Sequence, residues 1–122
     1  MKILKLERIA EVAHEAHKIY CHQVGRMGEK GWNEAPEYQR RNAVQGVRQV
    51  QANPLIEPAE IHAQWVERKK QQGWKPGDMN AAAKTSNCLV PFEELEPGYQ
   101  AKPILFLAIV KALLPYEGEP EG

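Results

Sequence analysis

Net charge is the first thing this chain lacks. Its 16 Lys and Arg balance 16 Asp and Glu over 122 residues, so the formal charge is zero. Affinity for a nucleic-acid backbone grows with the phosphates that Lys and Arg neutralise. A balanced chain without a basic block therefore argues against nucleic acid as a partner, and Arg40, Arg41 and Arg48 form only a local patch. Cysteine is scarce too: Cys21 and Cys88 show no CxxC spacing and read as reduced thiols of a cytoplasmic protein. Ser86 is the only serine, which excludes a serine triad. No Gly-rich phosphate loop is present, because Gly28-Glu-Lys-Gly31 lacks the P-loop spacing. The longest apolar run, Ile104 to Leu114, is broken by Lys111 and is too short to span a bilayer. Charges throughout the first residues do not fit a signal peptide.

What is present is helical patterning. Apolar residues are 43% and charged residues 26%, ordinary values for one globular domain, expected here over residues 1–115. Ile9, Ala13, Ala16, Tyr20 and Val24 recur at steps of three and four and predict a first helix stopped by Gly25. Pro36 suits the start of a second helix, with Ala43, Val47 and Val50 facing the core. Gly46 within it costs about 1 kcal/mol against Ala and points to close helix packing. Pro58 opens a third helix that Gly73 closes. Trp74 to Gly77 and Cys88-Leu89-Val90 read as the two short strands of a ribbon. The last helix is the most apolar, and Pro103 is expected near its true first turn, leaving Pro97 to Lys102 as a separate turn. Residues 116–122 read as a disordered acidic tail.

The expected fold is thus mainly α, with two packed helical hairpins and a small two-stranded β ribbon. A weak repeat runs through it. Pro36-Glu-Tyr-Gln39 recurs as Pro97-Gly-Tyr-Gln100, and each expected pair carries a histidine in its first helix, His14 and His62. An approximate two-fold relation between the hairpins is the corresponding expectation.

The ordered set His62-Ala-Gln-Trp65, Gly73-Trp74-Lys-Pro-Gly77, Lys84-Thr85 and Cys88-Leu-Val-Pro-Phe92 resembles the RyR domain. That domain is named for the ryanodine receptors, and stand-alone copies occur in bacteria and phages. Ile9 to Ala16, Trp32 with Ala35-Pro36-Glu37, and Ala43 to Arg48 resemble the stand-alone members, so the likeness runs from about Ile9 to Leu114. Departures lie at Pro76, Met79-Asn80, Ser86-Asn87 and Pro103, concentrated between Gly77 and Cys88. The resemblance implies packed helical hairpins with a small β element. It implies neither a channel nor a settled reaction. By analogy with bacterial and phage members, it suggests sensing of nucleotide-derived signals in conflict systems.

Candidate site residues follow from side-chain chemistry. Trp74, beside two glycines, can stack on a base. Arg48, Lys84 and Thr85 supply a planar fork, a point charge and a hydroxyl for phosphate. His14 and His62 can face a ligand between the hairpins. Alternatively, each ties its helix to a loop carbonyl, the commoner use of such a histidine. His14, His17 and Cys21 stand at i, i+3 and i+7 and are zinc-ligand types, yet no fourth ligand is evident; neither metal nor cofactor is expected.

The resulting expectation is a non-enzymatic domain that binds a small phosphorylated or nucleotide-like ligand, as a sensor or a phage sequestering protein in a bacterial cell. The alternative is a protein-interaction module. A hydrolase is the weakest reading, since Glu93, Glu94 and Glu96 look like a solvated helix start. Sequestration would suit a homo-oligomer, although no heptad supports one.

Overall fold

Lys5 leads into α1 (Leu6–Gln23), which ends at Val24 and turns at Gly25, whose φ of +86° favours glycine. The computed structural model describes residues 4–118. It is mainly helical, with one two-stranded sheet among the described residues. The chain divides into two compact units. The first comprises Met1–Ile56 with Ile104–Gly122, and the second Glu57–Pro103.

In the first unit, α1 packs on α2 (Glu37–Ala52) as a helical hairpin. The buried stripe of α1 is Ile9, Ala10, Ala13, His17 and Cys21. This is rotated from the expected stripe: Ala16 and Tyr20 are half-buried and Val24 is 51% exposed. The periodicity counted only apolar residues, whereas His17 and Cys21 occupy core positions. From α2, Val47 and Val50 are fully buried, as their spacing predicts, while Ala43 is half-buried. A Cβ built on Gly46 would lie 2.9 Å from Cζ of Phe106, so the glycine lets α2 approach the ring closely.

Phe106 belongs to α4 (Pro97–Leu113), whose residues from Ile104 onward fall in this unit and contribute Leu107 and Val110 to the core. A 3-10 turn over Leu114–Tyr116 follows. Leu4 then closes the two ends: its N–H donates to Tyr116 O at 2.8 Å and its carbonyl accepts from Gly118 N at 2.9 Å. Gln51 Nε2 also donates to Glu117 Oε2 at 3.2 Å. The expected tail is therefore ordered through Gly118, and residues 119–122 lie outside the described residues.

The second unit opens with α3 (Pro58–Gln71), where Pro58 takes the first turn and Glu60 Oε1 accepts from Glu57 N–H at 3.4 Å. Gly73 turns the chain at φ +91°. Strand β1 (Lys75–Pro76) then pairs in parallel with β2 (Thr85–Ser86), in the register Lys75 to Thr85 and Pro76 to Ser86. The expected strand at Cys88 to Val90 is not one. The pairing instead uses Lys75 N–H on Lys84 O and Gly77 N–H on Ser86 O. Those donors flank Pro76, which has no N–H to give, so proline is tolerated at that position.

The start of α4 also differs from expectation. The helix runs unbroken from Pro97 with Pro103 inside it. Proline withholds one N–H from the ladder, but its ring is buried here, which offsets part of that cost.

The repeat is real at the local level and sits in a different register. The 3-10 turn Trp32–Glu34 and the 3-10 turn Phe92–Glu94 stand sixty positions apart (32 and 92), and each leads through two residues into a helix. Arg40 Nη1 donates to Trp32 O at 3.2 Å, and Gln100 Nε2 donates to Phe92 O at 3.0 Å. Trp32 thus corresponds to Phe92 and Pro36 to Glu96. The match of Pro36 with Pro97 is one residue out of step.

Candidate functional site: an arginine cleft on the first unit

Glu37, Arg40, Arg41, Val44, Gln45 and Arg48 recur along α2 at i, i+3, i+4, i+7, i+8 and i+11. That spacing puts them on one face of the helix, away from Val47 and Val50. Together with Glu7 and Trp32 they line a cleft of about 550 Å³. The cleft is open, and its lining carries three guanidinium groups and two carboxylates.

The three arginines are in different circumstances. Arg40 spans back to the preceding turn, donating to Trp32 O at 3.2 Å and to Asn33 O at 3.4 Å. The side chains of Arg41 and Arg48 are exposed and make no hydrogen bond or ion pair among the described residues. Two helical turns separate them, about 10 Å along the axis. Two guanidinium forks so spaced can each take a pair of phosphate or carboxylate oxygens.

Trp32 forms one wall and is itself held from two sides. Its backbone N–H donates to Glu15 Oε1 at 2.7 Å, and Glu15 Oε2 pairs with Lys18 Nζ at 3.1 Å. The Trp32 N–H, and then Lys18, hold the Glu15 carboxyl below its ordinary range. The indole is only 4% exposed and meets the edge of the His14 ring at 5.7 Å.

His14 does not line the cleft. Its Nε2 lies 2.7 Å from Lys30 O; a carbonyl only accepts, so Nε2 carries the proton. His62 repeats the arrangement in the second unit. Its Nε2 donates to Val90 O at 2.8 Å, and its ring meets the edge of Phe92 at 6.2 Å. Both histidines make the helix-to-loop tie that was one of their two sequence readings.

The remaining expected site residues also belong to the second unit. Lys84 Nζ donates to Gln72 O at 3.0 Å from a backbone at φ +56°. Thr85 Oγ1 donates to Asp78 O. Trp74 is half-buried, with Lys69 Nζ 4.9 Å from its ring centroid and 5.9 Å from that of Trp65. Burial lowers the pKa of Lys69, with Lys102 and Arg68 adding to the shift, and burial also lowers that of Arg68. Lys69 was not singled out in the sequence; its i, i+4 relation to Trp65 is the signal that identifies it.

Of the six expected residues, Arg48 and His14 fall in the first unit and Trp74, Lys84, Thr85 and His62 in the second. Arg48 is the one found in the cleft. Arg40 and Arg41 read in sequence as part of a local patch, and Trp32 enters only through the family resemblance, with nothing to place it against them. The helical spacing of the polar face of α2 was the available signal. For a metal, the group that gathers is His17, Cys21 and Glu29, without His14.

Among the described residues, no helix is long and apolar enough to cross a membrane. No family model and no curated protein matches the chain.

Proposed function

We propose that this protein is a non-enzymatic binding domain that holds a small phosphorylated, nucleotide-like ligand in the arginine cleft of its first unit. One observation carries the reading: Arg41 and Arg48 project from one helix face into a cleft beside Trp32, and neither has a partner among the described residues. A bound anion would supply the partner each guanidinium lacks. Arg40, anchored on Trp32 O, sets the rim. The resemblance to stand-alone RyR domains supports a nucleotide-derived signal as the ligand, and with it a sensor or sequestering role in a bacterial or phage-infected cytoplasm. Residues Trp74, Lys84 and Thr85 hold the β ribbon and its loop in this reading.

Thermal unfolding against nucleotides, cyclic dinucleotides and ADP-ribose derivatives tests it. A ligand at 100 times its Kd adds about 2.7 kcal/mol, several degrees for a domain of this size. A flat panel would refute the reading.

A second reading has its own observation. Val12 and Ile19 lie seven residues apart on the outer face of α1, and Ile19 is 64% exposed. Such a pair fits a helix face that docks a protein partner. Pull-down with an α1 variant, Ile19→Glu, against the wild type separates this reading from the first.

A further inference from the structure

Helix α1 places His17 and Cys21 one turn apart, at i and i+4, both in the core of the first unit. Gly25 then reverses the chain, and Arg26 N–H donates to Cys21 O at 2.8 Å, which brings the following loop back along the helix. This return delivers Glu29. One ligand atom from each of His17, Cys21 and Glu29 lies within 4.8 Å of the others.

The separation of the His17 and Cys21 ligand atoms suits a small divalent cation. Cys21 Sγ is 3.4 Å from His17 Nε2. A tetrahedral zinc ion with its usual bonds to sulfur and nitrogen sets that edge at about 3.5 Å. Glu29 is itself supported: Gln39 Nε2 from α2 donates to its Oε1 at 3.3 Å, and His22 Nε2 donates to its main-chain oxygen at 3.3 Å. Such partners orient a ligating carboxylate. Glu29 supplies the third ligand atom of the group.

We propose that His17, Cys21 and Glu29 form a zinc site with one position left for water. A thiolate, an imidazole and a carboxylate favour zinc over magnesium or calcium, which take oxygen ligands. On binding, the Cys21 thiol gives its proton to solvent and His17 offers the Nε2 lone pair, so affinity falls as pH drops. The ion links α1 to the loop that precedes Trp32 and, through Gln39, to α2. This proposal stands apart from the arginine cleft and does not depend on a ligand there.

The test is a cobalt titration of the full chain after chelator treatment. One equivalent of Co²⁺ produces a thiolate-to-cobalt charge-transfer band and the visible bands of a four-coordinate ion, and Zn²⁺ displaces it. Zn²⁺ alone raises Tm. Cys21→Ser abolishes the charge-transfer band, and Cys88→Ser leaves it unchanged. Glu29→Gln, a change at the half-buried loop that leaves the helix core intact, weakens Co²⁺ binding at least tenfold. Should Cys21→Ser fail to fold by circular dichroism, the Glu29→Gln result decides. Absence of the band at one equivalent would overturn the proposal. So would a band that survives Cys21→Ser in the folded protein, one lost in Cys88→Ser, or undiminished affinity in Glu29→Gln.

Discussion

Arg40 donates to the main-chain oxygen of Trp32 at 3.2 Å, and this bond separates it from the two other arginines of the cleft. The Arg40 guanidinium is engaged by a backbone carbonyl, while the Arg41 and Arg48 side chains make no such bond among the described residues. Arg40→Ala is therefore expected to destabilise the protein by about 1 kcal/mol, the worth of one such hydrogen bond. Arg41→Ala and Arg48→Ala should fall within about 0.5 kcal/mol of wild type, as exposed changes do. Urea unfolding of the three variants checks the contrast. Equal losses in all three would show that Arg41 and Arg48 have structural partners.

The two histidine ties make a second contrast. His62 is 6% exposed and its Nε2–H is bound to Val90 O. His62→Ala should cost about 2–4 kcal/mol, combining a lost ring in a packed site with an orphaned carbonyl. His14→Ala, at a half-buried position, should cost less. Chemical denaturation gives both numbers. Unchanged stability in either variant would mean that the tie contributes nothing.

Gly46 tests the helix approach. A β-branched side chain there must displace the Phe106 ring, whose Cζ would stand 2.9 Å from the new Cβ. Gly46→Val is expected to cost about 1–3 kcal/mol, since overpacking outweighs the gain in helix propensity. Adding Phe106→Ala should recover part of the loss, giving a non-additive double-mutant cycle. Additive losses would place the strain elsewhere.

Much of this architecture was legible in the residues. Pro36, Pro58, Gly25 and Gly73 act through backbone geometry that depends little on distant contacts, so they marked the helix ends closely. Val47 and Val50 carried the core of α2, and Gly46 its close packing. Other features depended on contacts that no local pattern encodes. The face of α1 was misplaced because its core residues include His17 and Cys21. Two-residue strands have no periodicity, and the parallel register around Pro76 is set by donors on either side of it. The repeat was caught one residue out of step because Pro, Tyr and Gln identities do not mark equivalence, whereas the unlike residues Trp32 and Phe92 do. In the cleft, an arginine that is bonded and one that is free look alike in sequence.

Glu15 provides a pH signature. Its carboxyl is held below the ordinary value of 4.5 by the Trp32 N–H and by Lys18. A depressed folded pKa contributes stability that is present above the unfolded pKa and lost as pH falls through the folded one. Glu15→Gln should therefore lower Tm near neutral pH, and the gap to wild type should narrow as pH drops below 4.5. Thermal melts from about pH 3 to about pH 7, a range that brackets the ordinary carboxylate pKa, check this. A gap that widens in acid would contradict it.

Isothermal titration of a nucleoside diphosphate ligand, chosen from the thermal panel, into wild type and Arg48→Ala decides whether the arginine cleft holds the ligand. A single site is expected in wild type, with a loss of about 2 kcal/mol, some thirtyfold in Kd, in Arg48→Ala, as for a lost charge-assisted fork. The wild-type affinity should also weaken with added salt. Binding of equal strength to both proteins would move the site away from the arginine cleft and rule out a ligand held by Arg48.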